Sequence, residues 1–124
     1  MIQALIITHG FLGAELLRCV EALLGPQDGV QVISNQGQDL EGLCKFVASR
    51  IPAEEHAILF VDFCGGSPYV ACRRACDSPS RLAIISGVNL PMLTSFFTKR
   101  ATKDFDELAE VVREDGLRGV QLIR

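Results

Sequence analysis

The 124 residues carry 12 Lys and Arg against 15 Asp and Glu, a formal charge of -3, with 48% hydrophobic residues and no Trp. That length and composition fit one globular domain, and a pI near 5.3 without a basic run leaves no electrostatic footprint for a phosphate backbone, so nucleic acid is not an expected partner. No apolar run approaches the roughly 18 to 20 residues of a membrane span, and Met1-Ile2-Gln3 lacks the basic start of a secretory signal; direct membrane insertion is not expected, and a cytoplasmic location is.

Gln3-Ala4-Leu5-Ile6-Ile7-Thr8 is near-continuously apolar and stops at His9-Gly10, which predicts a strand covered on both faces. From Gly13 to Leu24 the residues Leu16, Leu17, Val20, Leu23 and Leu24 recur at helical spacing, and Gly25-Pro26 supplies a stop. Val30 to Ile33 reads as a second strand. Asp39 then caps a helix with Leu40, Leu43, Cys44, Val47 and Ile51 on one stripe, ended by Pro52. Ala57 to Val61 is the third strand, closed by Asp62 and the turn Gly65-Gly66-Ser67-Pro68, with a helix over Tyr69 to Cys76. Leu82 to Ser86 is a fourth strand. The turn Gly87-Val88-Asn89-Leu90-Pro91 leads into a helix from Met92 to Lys99, and a last helix spans Asp104 to Asp115 with Phe105, Leu108, Ala109 and Val112 inward. Gly119 to Ile123 alternates in a way suited to an edge strand. Strands alternating with helices imply βαβ units. The expected architecture is a single three-layer α/β/α domain with a mainly parallel central sheet and a C-terminal edge strand.

The five cysteines, Cys19, Cys44, Cys64, Cys72 and Cys76, are odd in number and form no CxxC pair. They read as free thiols, with Cys72 and Cys76 behaving as small hydrophobes on a helix, and no metal site is expected. His56 and Arg73-Arg74 read as surface residues.

In an open parallel α/β sheet, ligands bind outside the carboxyl ends of the strands, near a switch in strand order. His9 follows the first strand and Asp62 closes the third, so both face one crevice if those strands are neighbours. A nucleophilic imidazole must be neutral and held in one tautomer, and a carboxylate accepting its other N–H holds it there. The same spacing also fits a histidine at a strand end beside an aspartate bonded to loop amides. In Gly65-Gly66-Ser67-Pro68, Ser67 is a good N-cap and Pro68 suits the first helical position, while the glycines let backbone approach a ligand. Exposed amides at a helix start then favour an anion, most plausibly phosphate; an ordinary capped turn has the same sequence. GxxxxGK[ST] and GxGxxG are both absent.

Three segments together resemble the mannose-family enzyme IIA domain of the phosphoenolpyruvate-dependent sugar phosphotransferase system. They are Ile7-Thr8-His9-Gly10, Val61-Asp62-Phe63-Cys64-Gly65-Gly66-Ser67-Pro68 and Gly87-Val88-Asn89-Leu90-Pro91-Met92-Leu93, in family order. The resemblance runs over essentially the whole chain, residues 1–124, as a single IIA domain. It implies a phosphohistidine carrier in which His9 takes a phosphoryl group from phospho-HPr and passes it to a separate IIB component in sugar uptake. Asp62 would orient the imidazole, and Gly10, Gly65, Gly66 and Ser67 would hold the phosphoryl oxygens. No cofactor is implied, because the donor arrives energised. A homodimer exchanging a C-terminal strand is a family habit that would use Val120 to Ile123.

Asn89 and Pro91 are expected to shape their loop, and Phe11 and Leu12 either dock a partner or belong to the core. Cys64 stands where a bulky apolar residue is expected, which keeps a thiol enzyme or redox switch as an alternative. A regulatory phospho-acceptor module, or a carrier feeding dihydroxyacetone kinase, uses the same His9 chemistry; the motifs look closer to the sugar-transport branch than to the latter.

Overall fold

The computed structural model describes residues 1–124. Its elements in chain order are β1 (Gln3–Thr8), α1 (Leu12–Leu24), β2 (Val30–Ser34), α2 (Leu40–Arg50), β3 (Ala57–Val61), α3 (Ser67–Ala75), β4 (Leu82–Ile85), α4 (Leu90–Lys99) and α5 (Phe105–Arg118). The strands form one sheet in the order β2-β1-β3-β4, and every pairing is parallel. β1 lies centrally, with Ile7 opposite both Ile33 and Val61.

Successive side chains on a strand point to opposite faces, and here both faces are covered. Ala4, Ile6, Ile58, Phe60 and Ile85 join Val20 of α1, Leu93 and Phe96 of α4 and Leu108 of α5 in one core, where Phe60 and Phe96 meet edge-on with centroids 5.4 Å apart. Leu5, Ile7, Leu59 and Val61 join Leu43 and Val47 of α2 and Ala71 and Cys72 of α3 in the other. The result is three layers, α/β/α. No helix is long and apolar enough to cross a membrane.

Local chemistry sets the helix starts. Asp39, Asn89 and Asp104 each accept a hydrogen bond from the amide three residues on, at 2.7, 2.9 and 2.9 Å, as N-caps do. At α1 no side chain of the capping residue serves; buried Thr8 accepts from the Gly13 amide at 2.8 Å instead. A Cβ at Gly13 would lie 3.0 Å from Ile6 Cγ2 and 3.1 Å from Thr8 Oγ1, so the glycine lets the first turn of α1 close onto β1.

The sheet is parallel throughout, in line with the expected mainly parallel sheet, and two expectations need correction. The C-terminal edge strand is not formed. The end of α5 continues into a tight turn in which the Val120 amide reaches the Leu117 carbonyl at 3.2 Å, and no residue after it pairs with β4. Val120, Leu122 and Ile123 are 80% or more exposed. Finally, the N-cap of α3 is Gly66 rather than Ser67, whose hydroxyl bonds no α3 amide; the helix starts at Ser67 with Pro68 in its first turn.

Candidate functional site

The sheet reverses its winding between β1 and β3, since β2 lies beyond β1 on one side and β4 beyond β3 on the other. A crevice opens at such a reversal. His9 leaves β1 and Asp62 leaves β3 at this point, and the parallel register that pairs Ile7 with Val61 brings them together.

One carboxylate oxygen of Asp62, Oδ2, accepts from the His9 backbone amide at 2.9 Å and contacts His9 Nδ1 at 2.7 Å. The other, Oδ1, accepts from the Phe63 amide at 3.1 Å. A carboxylate only accepts, so the ring proton sits on Nδ1 and Nε2 carries the free lone pair. Burial alone pushes the Asp62 carboxyl up, but the His9 amide, the His9 ring and the Phe63 amide together outweigh it and hold it below the usual carboxylate value. The aspartate side chain is 11% exposed and the histidine 41%, so an anchored base presents an open nucleophile. The crevice at this switch point is open, and the deeper cavities of the molecule lie elsewhere, lined by neither His9 nor Asp62. The imidazole stands on a surface that another macromolecule can approach.

The Gly65-Gly66-Ser67 turn faces this ring. A Cβ at Gly66 would lie 2.6 Å from His9 Cε1 and 3.1 Å from Nε2, so only glycine allows the backbone this close. The amides of Gly65, Gly66 and Ser67 make no hydrogen bond within the protein, and they lie at the N-terminus of α3. Such unpartnered donors at a helix start suit the oxygens of a phosphoryl group on Nε2. The Gly10 amide is already engaged, donating to Asn35 Oδ1 at 3.1 Å.

Two residues at the site escaped the sequence reading. Asn35 follows β2 as His9 follows β1, and the rule about strand ends would have pointed to it. Phe63 stacks on the His9 ring with centroids 5.2 Å apart and planes 20° off parallel. Nothing in the spacing shows that, because it depends on how the chain turns after Asp62. Phe63, Phe11 and Leu12 are all exposed apolar residues near His9 in sequence or space.

Cys64 is exposed and makes no side-chain hydrogen bond, whereas Cys72 is buried and its thiol is pushed well up by burial. Asn89 caps α4 and also donates from Nδ2 to the Gly116 carbonyl at 3.1 Å, a structural role. Arg74 pairs with Glu41 across α3 and α2 at 2.8 Å, and His56 packs against Phe105.

Residues 3–113 match the family described as PTS system fructose IIA component. The chain is 34% identical over 128 aligned positions to the PTS system mannose-specific EIIAB component of Escherichia coli K12, covering 99% of this chain and 40% of that protein. It therefore spans about two fifths of the length of the curated relatives it matches. The crystal structure of the phosphotransferase system component EIIA from Streptococcus agalactiae superposes with a TM-score of 0.90 at 22% identity, covering 98% of this chain and 96% of that one. The mannose/sorbose-specific IIA subunit from Enterococcus faecalis gives 0.80 at 20% identity, over 99% and 95%. At these identities the structural likeness speaks for the fold, while the match along residues 3–113 speaks for descent. With three layers around a parallel sheet and a histidine at its switch point, the chain belongs to the mannose-type enzyme IIA family of the phosphotransferase system.

Proposed function

We propose that the chain works as one IIA domain, a phosphohistidine carrier that accepts a phosphoryl group from phospho-HPr on His9 and hands it to a IIB component in sugar uptake. The observation that carries this reading is the His9–Asp62 contact at 2.7 Å, which leaves Nε2 free and exposed in front of unpartnered amides. In the forward step the Nε2 lone pair attacks the phosphorus of the donor phosphohistidine. The new N–P bond forms as the donor's N–P bond breaks, and that electron pair stays on the donor ring nitrogen. The His9 ring becomes a phosphoimidazolium whose Nδ1 proton remains on its bond to Asp62, and the carboxylate stabilises the positive charge. Transfer to IIB reverses these events toward a new acceptor.

Gly65, Gly66 and Ser67 supply amides to the phosphoryl oxygens, and Ser67 adds its hydroxyl; with Gly10 shaping the turn under His9, the protein contributes positioning and electrostatic stabilisation. The exposed, apolar Phe11, Leu12 and Phe63 suit a protein partner, not a small substrate. A homodimer fits the same reading, because β4 is an open edge and the apolar tail from Val120 to Ile123 is unpaired in the single chain.

Incubation with phosphoenolpyruvate, enzyme I and HPr, followed by intact-mass measurement, tests the proposal. Wild type is expected to gain one acid-labile phosphoryl group, His9→Ala none, and Asp62→Ala to be labelled on the order of a hundredfold more slowly. A His9→Ala protein that still gains the group would refute it.

A further inference from the structure

We infer that Asn35 is a positioning residue of the phosphoryl site, acting through Ser67; this rests on the carrier reading of His9. The Asn35 amide spans the two walls of the site. Its Oδ1 accepts from the Gly10 amide at 3.1 Å, and its Nδ2 lies 3.4 Å from Ser67 Oγ. The Gly10 amide can only donate, so it fixes which end of the carboxamide faces it and leaves the NH2 group toward Ser67. An Nδ2–H aimed at a lone pair of Ser67 Oγ turns the hydroxyl's own proton away from Asn35. That proton is then free for an oxygen of the phosphoryl group entering at His9 Nε2, beside Gly66. The backbone backs this up, since the Asn35 amide donates to the Thr8 carbonyl at 3.1 Å and ties the segment after β2 to the residue preceding His9.

Asn35 thus adds a second tie between the turn after β1 and the loop entering α3: Asp62 holds His9 from the β3 side, and Asn35 links Gly10 to Ser67. Its oxygen secures the Gly10 turn under the histidine, and its nitrogen sets the direction of the serine donor. Because the Gly10 amide is engaged by Asn35, the phosphoryl oxygens depend more heavily on Ser67 and the glycine amides of the facing turn. Donor orientation of this kind acts on the transferring group and leaves the docking surface untouched, so it changes kcat and not KM.

The test is a mutant cycle on transfer from phospho-HPr, using Asn35→Ala, Ser67→Ala, the double variant and Asn35→Asp. Asn35→Asp keeps an acceptor for the Gly10 amide but accepts from Ser67 where the asparagine donates, so the turn survives while the hydroxyl proton is drawn away. We expect Asn35→Ala and Asn35→Asp to lower kcat about tenfold with KM for phospho-HPr little changed, as loss of one oriented hydrogen bond implies. In the Ser67→Ala background, Asn35→Ala should have less than about a twofold further effect. Equal factors in both backgrounds, a change confined to KM, or wild-type rates in the Asn35 variants would overturn the role assigned to Asn35 while leaving the carrier reading intact. A wild-type protein that takes up no phosphoryl group from a working donor system would overturn both.

Discussion

Asp62 contributes through its position more than its charge alone, because one oxygen binds both the backbone and the ring of His9 and so locks main chain and imidazole together. Gly66 contributes by what it lacks. Its φ of -83° is open to any residue, so replacement introduces no backbone strain, but a methyl group would sit 2.6 Å from His9 Cε1. Gly66→Ala is therefore expected to push the ring off the Asp62 carboxylate and slow phosphorylation on the order of a hundredfold, since misplacement by about 1 Å costs that much. Quenched-flow transfer from phospho-HPr measures it, and an unchanged rate would show that the ring has room to move. His9, Asp62 and the glycine pair could be read from the sequence because strand ends in a parallel sheet lie on one edge. Asn35 shared that strand-end mark, but its bonds to Gly10 and Ser67 and the stacking of Phe63 on His9 could not be read, since they depend on loop paths that span separate strands.

Helix starts were legible wherever the cap is local. Asp39, Asn89 and Asp104 cap their helices as their residue types predict, and Asn89→Ala should lower the melting temperature by about 4 °C through loss of roughly 1 kcal/mol. Ser67 differs: the chain enters α3 one residue early, at Gly66, and the serine is left facing Asn35. Between α4 and α5 the Asp115 carboxylate accepts from Lys99 Nζ and Ser95 Oγ, each at 2.6 Å, and pairs with Arg118. The Lys99 hydrogen bond, then that from Ser95, hold its carboxyl at about 2, below the ordinary 3.8. A carboxyl depressed in the folded state stabilises the fold fully above its unfolded value, and the contribution is lost as pH falls through the folded value. The gap in melting temperature between wild type and Asp115→Asn should therefore be constant near neutrality and close between about pH 4 and 2. A gap independent of pH would assign the effect to packing.

The single chain leaves an open β4 edge and an apolar tail that is four-fifths exposed or more at Val120, Leu122 and Ile123. A groove of about 260 Å³ lined by Ser86, Met92, Leu117 and Val120 lies where that tail departs. For the proposed homodimer and phosphohistidine carrier, removing residues 120–124 is expected to give a monomer in sedimentation equilibrium without loss of phosphoryl uptake; a truncated protein that stays dimeric would place the interface elsewhere. By itself, the sequence determined the alternation of strands and helices from β1 to α5, the cap of α2 and the two catalytic candidates, because apolar periodicity and turn chemistry act over a few residues. Tertiary structure alone decided the strand order, the absence of a paired C-terminal strand within one chain and the meeting of Asn35, Ser67 and Phe63 around His9. Those depend on which strands become neighbours and where loops cross, and such long-range packing leaves no periodic trace in the chain.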